Sequence, residues 1–331
     1  MKVLNWGIMG AGNIAVKLAD ALAINDNSKL VSVSSKSMER ATKFAENYNI
    51  KAFDNYQTMF DESELDVIYV ATTHNFHYEN AKMALENNKS VLVEKPFTVN
   101  AQQASELVAL AREKELFLME AIWTRYLPSI IHLKSLLNAG VIGEVKLFDI
   151  SFCNIAPSKY LPRLMDPKLA GGVTLDMGIY PITFVNYLMD ELPVNVNSQA
   201  RLGETGVDEM ATYQLQFANK AVANINTSMN VLTQNRSMIY GETGYIEFPY
   251  FQQGSSFTIH THDHTNVISK SETIHVENHE NGFIYQVEEV VKCISEGKLQ
   301  SDIMPLNETV NTMKMMDNMR KEWGLVYPGE E

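Results

Sequence analysis

Three short stretches carry side chains whose types and spacing suit chemistry. In VLVEKPF (residues 91–97), three apolar residues with the pattern of a strand buried on both faces end on Glu94 and Lys95. Pro96 then stops the sheet from continuing. A lysine in that place points either to solvent or into the crevice at the carboxyl ends of strands, where α/β proteins hold ligands. In GAGNIA (10–15), Gly10, Gly12 and Ala15 have the spacing of a turn that cradles a pyrophosphate. Gly10 permits the tight turn, Gly12 lets the backbone approach the phosphates, and Ala15 lets the next helix pack closely. The N–H groups at the helix start, from Asn13 and Ile14 onward, would face the diphosphate. The alternative is a tight turn with no ligand. In GGVTLDMGIYPIT (171–183), Pro181 is tolerated in a first helical turn. That predicts a helix from about Gly178 through ITFVNYLM, with Gly171 and Gly172 as a flexible lead-in. Asp176 and Tyr180 then lie near the positive end of the helix, which favours a carboxylate and a phenolate. The plainer alternatives are a helix cap for Asp176 and a packing tyrosine for Tyr180.

Two further stretches bear on ligands. An acidic residue about twenty positions after the glycines would read the ribose hydroxyls of NAD. VSVSSKSMER has none at the strand end; it offers Ser35, Lys36 and Arg40 there, which suit a 2′-phosphate, so NADP is preferred and NAD remains possible. The alternative is that Lys36 and Arg40 are ordinary surface cations. FTIHTHDH puts His260, His262 and His264 on one face of a predicted strand, where imidazoles could share an ion. No carboxylate motif accompanies them, solvated polar strand faces are far commoner, and no metal is expected.

These residues need a frame. Apolar runs at 2–9, 30–35, 65–72, 90–95 and 116–120 alternate with helical periodicity at 13–25, 37–48, 78–87 and 101–115. Continuous apolar strands alternating with helices indicate a parallel sheet covered on both faces, the doubly wound α/β class. The pattern changes at about residue 121. An amphipathic helix (130–140) and a long strand (143–155) are followed by strands with one apolar and one polar face, such as Tyr213–Leu215–Phe217 and Ala221–Ala223–Ile225. Helices follow around Ile284–Ile294 and Leu306–Met313. The expectation is a Rossmann domain over 1–121 and an α+β domain over 122–331, built on a large, mostly antiparallel, open-faced sheet.

Composition excludes several classes. With 27 Lys and Arg against 40 Asp and Glu, the formal charge of −13 disfavours nucleic acid and anionic membrane surfaces as partners. Only Cys153 and Cys293 occur, without a CxxC pattern, which suits a reducing, cytoplasmic setting. No apolar run approaches the ~20 residues that span a bilayer, and the N-terminus runs into the glycine motif with no cleavage-like stretch.

GIMGAGNIA, VEKPFTVNAQQA, MEAIWTRYLP and RLMDPKLAGGVTLDMGIYP, in this order on one chain, resemble the glucose-fructose oxidoreductase/inositol dehydrogenase (Gfo/Idh/MocA) family. The MEAIWTR and LDMGIYP segments look most like the branch that holds dimeric dihydrodiol dehydrogenase and NADP-dependent D-xylose dehydrogenase. The resemblance implies oligomerisation through the open sheet, as a homodimer or larger, and a last helix that returns to the first domain. It implies that Lys95 contacts substrate beside the nicotinamide, and that Glu94 sits by the nicotinamide ribose. Thr72, His74 and His77 resemble residues lining the cofactor; simple helix capping is their alternative. Trp123 and Arg125 resemble substrate-side residues, and Arg163 and Asp166 lie in the loop that shapes the pocket. Many members carry His where this chain has Tyr180. Tyrosine titrates near 10 and histidine near neutrality, so Tyr180 needs a cation, for which Lys95 is the natural candidate. The reaction so implied is hydride transfer between NAD(P) and a CH–OH carbon of a sugar, cyclic polyol or dihydrodiol-like substrate. Tyr180 would carry the proton, and Asp176 would orient the substrate or the tyrosine. A non-catalytic dinucleotide sensor or partner-binding protein on the same fold is the alternative.

Overall fold

The chain divides into two compact units, residues 1–123 with 279–313 and residues 124–278 with 314–331. The structure, a computed structural model, describes residues 2–264 and 267–330. In the first unit, strands β1 (Leu4–Met9), β2 (Ser28–Ser34), β3 (Lys51–Phe53), β4 (Val67–Val70), β5 (Ser90–Glu94) and β6 (Leu118–Ala121) alternate with helices. The helices are α1 (Asn13–Ala23), α2 (Met38–Tyr48), α3 (Tyr56–Glu62), α4 (His77–Glu86) and α5 (Ala101–Glu113). The six strands are all parallel, in the order β3-β2-β1-β4-β5-β6.

The cause is legible in β4 and β5. Val67 to Val70 and Val91 to Val93 are fully buried, so neither strand has a polar face to show to water. Such strands need helices on both sides. Parallel pairing then puts the residues after β1, β2, β4, β5 and β6 along one edge of the sheet. The chain order reverses between β1 and β4, where open α/β sheets leave a crevice. The sequence reading left residues 49–64 unassigned. They hold β3 and α3, and a three-residue strand at the sheet edge is too short to show a period.

The second unit contains α6 (Pro128–Asn138), β7 (Val145–Cys153), α7 (Leu161–Leu164) and α8 (Ile179–Met189). Seven strands follow: β8 (Asn195–Leu202), β9 (Asp208–Gln216), β10 (Val222–Ser228), β11 (Arg236–Gly241), β12 (Gly244–Pro249), β13 (Ser256–His262) and β14 (Ile268–His275). With β7 they form one eight-stranded sheet in the order β14-β13-β12-β11-β7-β10-β9-β8. All pairs are antiparallel except β7 with β10. Ala211, Tyr213 and Leu215 are buried while Thr212 and Gln214 are exposed, the alternation of a sheet with one wet face. α8, buried along most of its length, packs on the other face against β7 and β10. Of the last two helices, α9 (Phe283–Ser295) packs on α1 in the first unit, and the division between units falls inside α10 (Leu306–Trp323).

Two expectations change here. The helix predicted from Gly178 begins earlier, because Thr174–Gly178 form a π turn that runs without a break into α8. Ile179 N–H reaches back to the Thr174 carbonyl, five residues away, and the widened turn accommodates Pro181 at the start of α8. The three histidines do not share a strand face either. β13 ends at His262 with a register shift, and His264 lies beyond it with φ +68. His260 Nδ1 pairs with Ser271 Oγ at 2.8 Å and its ring stacks on Tyr245. Among the described residues no group of three or more His, Cys, Asp or Glu could hold a metal ion.

Candidate active site

The carboxyl edge of the first sheet begins with the glycine turn. Gly10 has φ +104, and a Cβ there would stand 2.6 Å from the Ala71 carbonyl oxygen, so only glycine fits. Gly12, by contrast, faces open space: a Cβ would meet nothing within 4 Å. Gly12 also caps α1 without a side-chain hydrogen bond, and the first turn holds no acidic residue. The positive end of α1, at Asn13 and Ile14, is thus presented to whatever occupies that space, and an anion suits it. Ala15 is fully buried under the helix. A dinucleotide diphosphate therefore fits the residues present.

Next along the edge, Ser35 N–H donates to the Phe53 carbonyl at 3.0 Å. Lys36 and Arg40 are exposed, on either side of the Ser37 cap of α2. Lys36 Nζ stands 3.9 Å from the centre of the Phe76 ring, which ties the end of β2 to the turn after β4. No carboxylate occupies positions 34 to 38. In the turn after β4, Thr72 Oγ1 accepts from Asn80 Nδ2 at 3.0 Å. His74 is buried, with its ring 5.8 Å from that of His77. His77 is wholly inside the protein, its two ring nitrogens 2.7 Å from the Pro96 carbonyl and 3.1 Å from the Thr72 carbonyl. Glu94, at the end of β5, is buried and accepts from the Tyr69 hydroxyl. Lys95 is half-buried, and its peptide bond to Pro96 is cis. Trp123 stacks on Phe283 at 5.4 Å, both in this unit.

In the second unit the structure brings Arg163 and Asp176 together: Nη2 lies 3.1 Å from Oδ1, with 33% and 18% of the side chains exposed. Asp166 instead caps the next turn, accepting from Lys168 N–H at 2.8 Å. Asp176, Met177 and Tyr180 are half-buried, whereas residues 171–175, 178 and 179 are buried, so Asp176 and Tyr180 share the open side of this helical run. The Tyr180 ring meets Phe152 edge-on at 6.3 Å. Arg125 is 1% exposed and donates to the Thr183 carbonyl at 2.8 Å, with its guanidinium 5.1 Å from the Tyr187 ring; it braces α8 from inside.

Gly171 and Gly172 are tightly packed, the reverse of a flexible lead-in. A Cβ on Gly171 would stand 2.3 Å from the Leu164 carbonyl oxygen, and one on Gly172, whose φ is +118, 2.1 Å from Asp208 Oδ1. Asp208, which the sequence reading passed over, is fully buried. Its Oδ2 accepts from Thr174 N–H at 2.8 Å and from the Thr174 hydroxyl, while Oδ1 has no partner among the described residues. Burial pushes its carboxyl up to about 6 against the opposing pull of the Thr174 bonds. Thr174 Oγ1 also meets the Tyr213 hydroxyl at 2.8 Å, and the Tyr327 hydroxyl donates to the Gly171 carbonyl. The π turn beneath Asp176 is thus pinned from below. An acid followed by Glu209 at the start of an otherwise ordinary strand gives no sequence signal for this.

Residues 4–122 match the oxidoreductase family with an NAD-binding Rossmann fold, and residues 130–247 match the GFO/IDH/MocA C-terminal domain. The chain is 33% identical to trans-1,2-dihydrobenzene-1,2-diol dehydrogenase of Xenopus laevis, covering 98% of this chain and 99% of the relative. It is 31% identical to D-xylose 1-dehydrogenase (NADP(+)) of Hypocrea jecorina, covering 98% and 93%. In fold it is similar to a 3-ketoreductase from Actinomadura kijaniata, solved with NADP and TDP-benzene (TM-score 0.86, 22% identity, 96% and 97% covered). It is likewise similar to an aldose-aldose oxidoreductase from Caulobacter crescentus (TM-score 0.85, 22% identity, 97% of each chain). With both halves matched in order and relatives aligned end to end, the chain belongs to the GFO/IDH/MocA family of NAD-binding oxidoreductases.

Proposed function

We propose that this chain is an NADP-dependent oxidoreductase that moves a hydride between the nicotinamide and the CH–OH or C=O carbon of a sugar, cyclic polyol or dihydrodiol-like substrate. The observation that carries the reading is the turn after β1, where Gly10 is forced into φ +104 and Gly12 opens the uncapped end of α1 to an anion. The preference for NADP is supported by Lys36 and Arg40 after β2, with no acid at positions 34 to 38. The names of the full-length relatives support the substrate class. Bound at that turn, the nicotinamide supplies the hydride acceptor or donor. Tyr180 takes the hydroxyl proton in oxidation and returns it in reduction. Lys95 supplies positive charge that lowers the cost of that transfer, and Asp176, oriented by Arg163, aligns the hydroxyl. The wet face of the eight-stranded sheet supports pairing of two copies. The two cysteines, both buried and free, suit a reducing compartment such as the cytoplasm.

A cofactor-reduction screen over aldoses, inositols and dihydrodiols, with NAD and NADP in parallel, tests the reading. Turnover with NADP on at least one class is expected. Tight NADP binding without turnover on the whole panel would favour the sensor instead. Light scattering showing a monomer at micromolar concentration would remove the pairing.

A further inference from the structure

The chain leaves the first sheet at Glu94, whose ladder partner is Ala121. The backbone groups that follow need new partners, because buried peptide groups are rarely left unpaired. Buried side chains supply them. Glu94 Oε2 accepts from Lys95 N–H at 3.2 Å, and Glu120 Oε1 accepts from Phe97 N–H at 3.0 Å. His77 Nδ1 donates to the Pro96 carbonyl at 2.7 Å. Pro96 itself has no N–H to satisfy. The two carboxylates are anchored at their far ends as well. The Tyr69 hydroxyl donates to Glu94 Oε1 and Thr309 Oγ1 donates to Glu120 Oε2 at 3.0 Å. His77 is 0% exposed and Glu120 1%. Burial and the neighbouring His74 lower the His77 imidazole to about 3, so near neutral pH it has a single N–H. The shorter contact assigns that proton to Nδ1 and hence to Pro96.

We infer that His77 and Glu120 are positioning residues for Lys95, a buried clamp that fixes the peptide units following the lysine and so its base and direction. The inference rests on the role given to Lys95 above. Two anchors on consecutive residues, Pro96 and Phe97, fix both the place and the tilt of the turn; one alone would leave a hinge. Neither side chain has surface with which to touch cofactor or substrate, so each acts through the lysine. Displacing a reacting group by 1 Å costs about 10²-fold in rate, which sets the scale of the effect.

The experiment compares His77→Leu, His77→Asn, His77→Gln, Glu120→Leu and Glu120→Gln with wild type, each checked by thermal melting. Asparagine puts an amide donor near the place of Nδ1, and glutamine near that of Nε2. Three quantities are read: kcat and KM on the fastest substrate of the screen, the NADP dissociation constant, and the rate at which trinitrobenzenesulfonate modifies Lys95, followed by peptide mass mapping. His77→Leu and Glu120→Leu are expected to lower kcat about 10²-fold while NADP affinity changes less than about threefold. Both should raise the Lys95 modification rate several-fold. His77→Asn and Glu120→Gln should recover most of the loss, and His77→Gln should not. Wild-type kcat in folded leucine variants, or losses in kcat matched by losses in NADP affinity, would overturn the clamp. If the leucine variants do not fold, equal activity of the Asn and Gln variants at position 77 overturns it. If Lys95→Met keeps full turnover, the functional reading has failed, and the modification rates alone then decide whether the clamp holds the lysine.

Discussion

Glu120 in the first unit and Asp208 in the second do the same job with different completeness. Each is a buried carboxylate that accepts a backbone N–H from a turn bearing a candidate catalytic side chain, Phe97 for Glu120 and Thr174 for Asp208. Glu120 divides its bonds, one oxygen to Phe97 N–H and the other to the Thr309 hydroxyl. Asp208 takes both Thr174 donors on Oδ2 and leaves Oδ1 against Gly172 without a partner among the described residues. Burial penalises a carboxylate that is incompletely hydrogen-bonded, and the Asp208 carboxyl is pushed up to about 6. Arg320 pulls it the other way, and the hydroxyls of Tyr213 and Tyr327 complete its surroundings. A buried acid can thus hold a turn in place while burial raises its carboxyl above the usual range.

The largest effect should come from the side chains those turns carry. Lys95→Met and Tyr180→Phe are each expected to lower turnover about 10²-fold or more, the scale of lost acid–base catalysis. If both turns serve one reaction, the double variant should be little worse than either single one. Steady-state kinetics on all three checks this; fully multiplicative losses would show two independent sites of action.

A smaller effect concerns stability and pH. A carboxyl whose pKa is raised in the folded state, here to about 6, binds its proton more readily there than in the unfolded chain. The stability contributed by protonation is therefore present below about pH 4 and is lost as pH rises through about 6. A shift of about two units corresponds to at most roughly 3 kcal/mol. Asp208→Asn, which cannot ionise, should flatten the dependence of the urea midpoint on pH across that window and be no less stable than wild type at pH 7. An unchanged slope would break the contrast with Glu120.

The smallest effect is expected at the rim of the first sheet. Lys36→Ala with Arg40→Ala should weaken NADP about tenfold, the scale of one charge-assisted hydrogen bond, and leave NAD nearly unchanged. Calorimetric titration of both cofactors checks it, and equal affinities for NAD and NADP in the wild type would contradict the preference.

Much of the first unit was legible from local pattern. Strands without a polar face, such as VIYV in β4, permit one kind of sheet, and GxGxxA in that setting permits one kind of turn. The second unit was legible where strands alternate, as in β9 and β10, and silent where they do not. β14 is exposed along nearly all its length and shows no apolar side from which to read a period. The pairing of Arg163 with Asp176 joins positions thirteen residues apart through a folded loop, and both were candidates without a stated link.

The parallel sheet, the glycine turn, the lack of an acid at the end of β2 and the family could be read from the sequence, because burial on two faces and φ > 0 at a fixed spacing are local demands that few sequences meet. Tertiary structure alone decided what holds the reactive turns. Glu120 and Asp208 are ordinary polar residues in the sequence, and His77 stands out there only by resembling a cofactor-lining residue, although it is fully buried. They acquire a role only when folding removes water from them and brings Pro96, Phe97 and Thr174 within hydrogen-bond reach. A buried peptide group takes its partner from whatever the fold places beside it, and that neighbour can lie 19, 23 or 34 residues away.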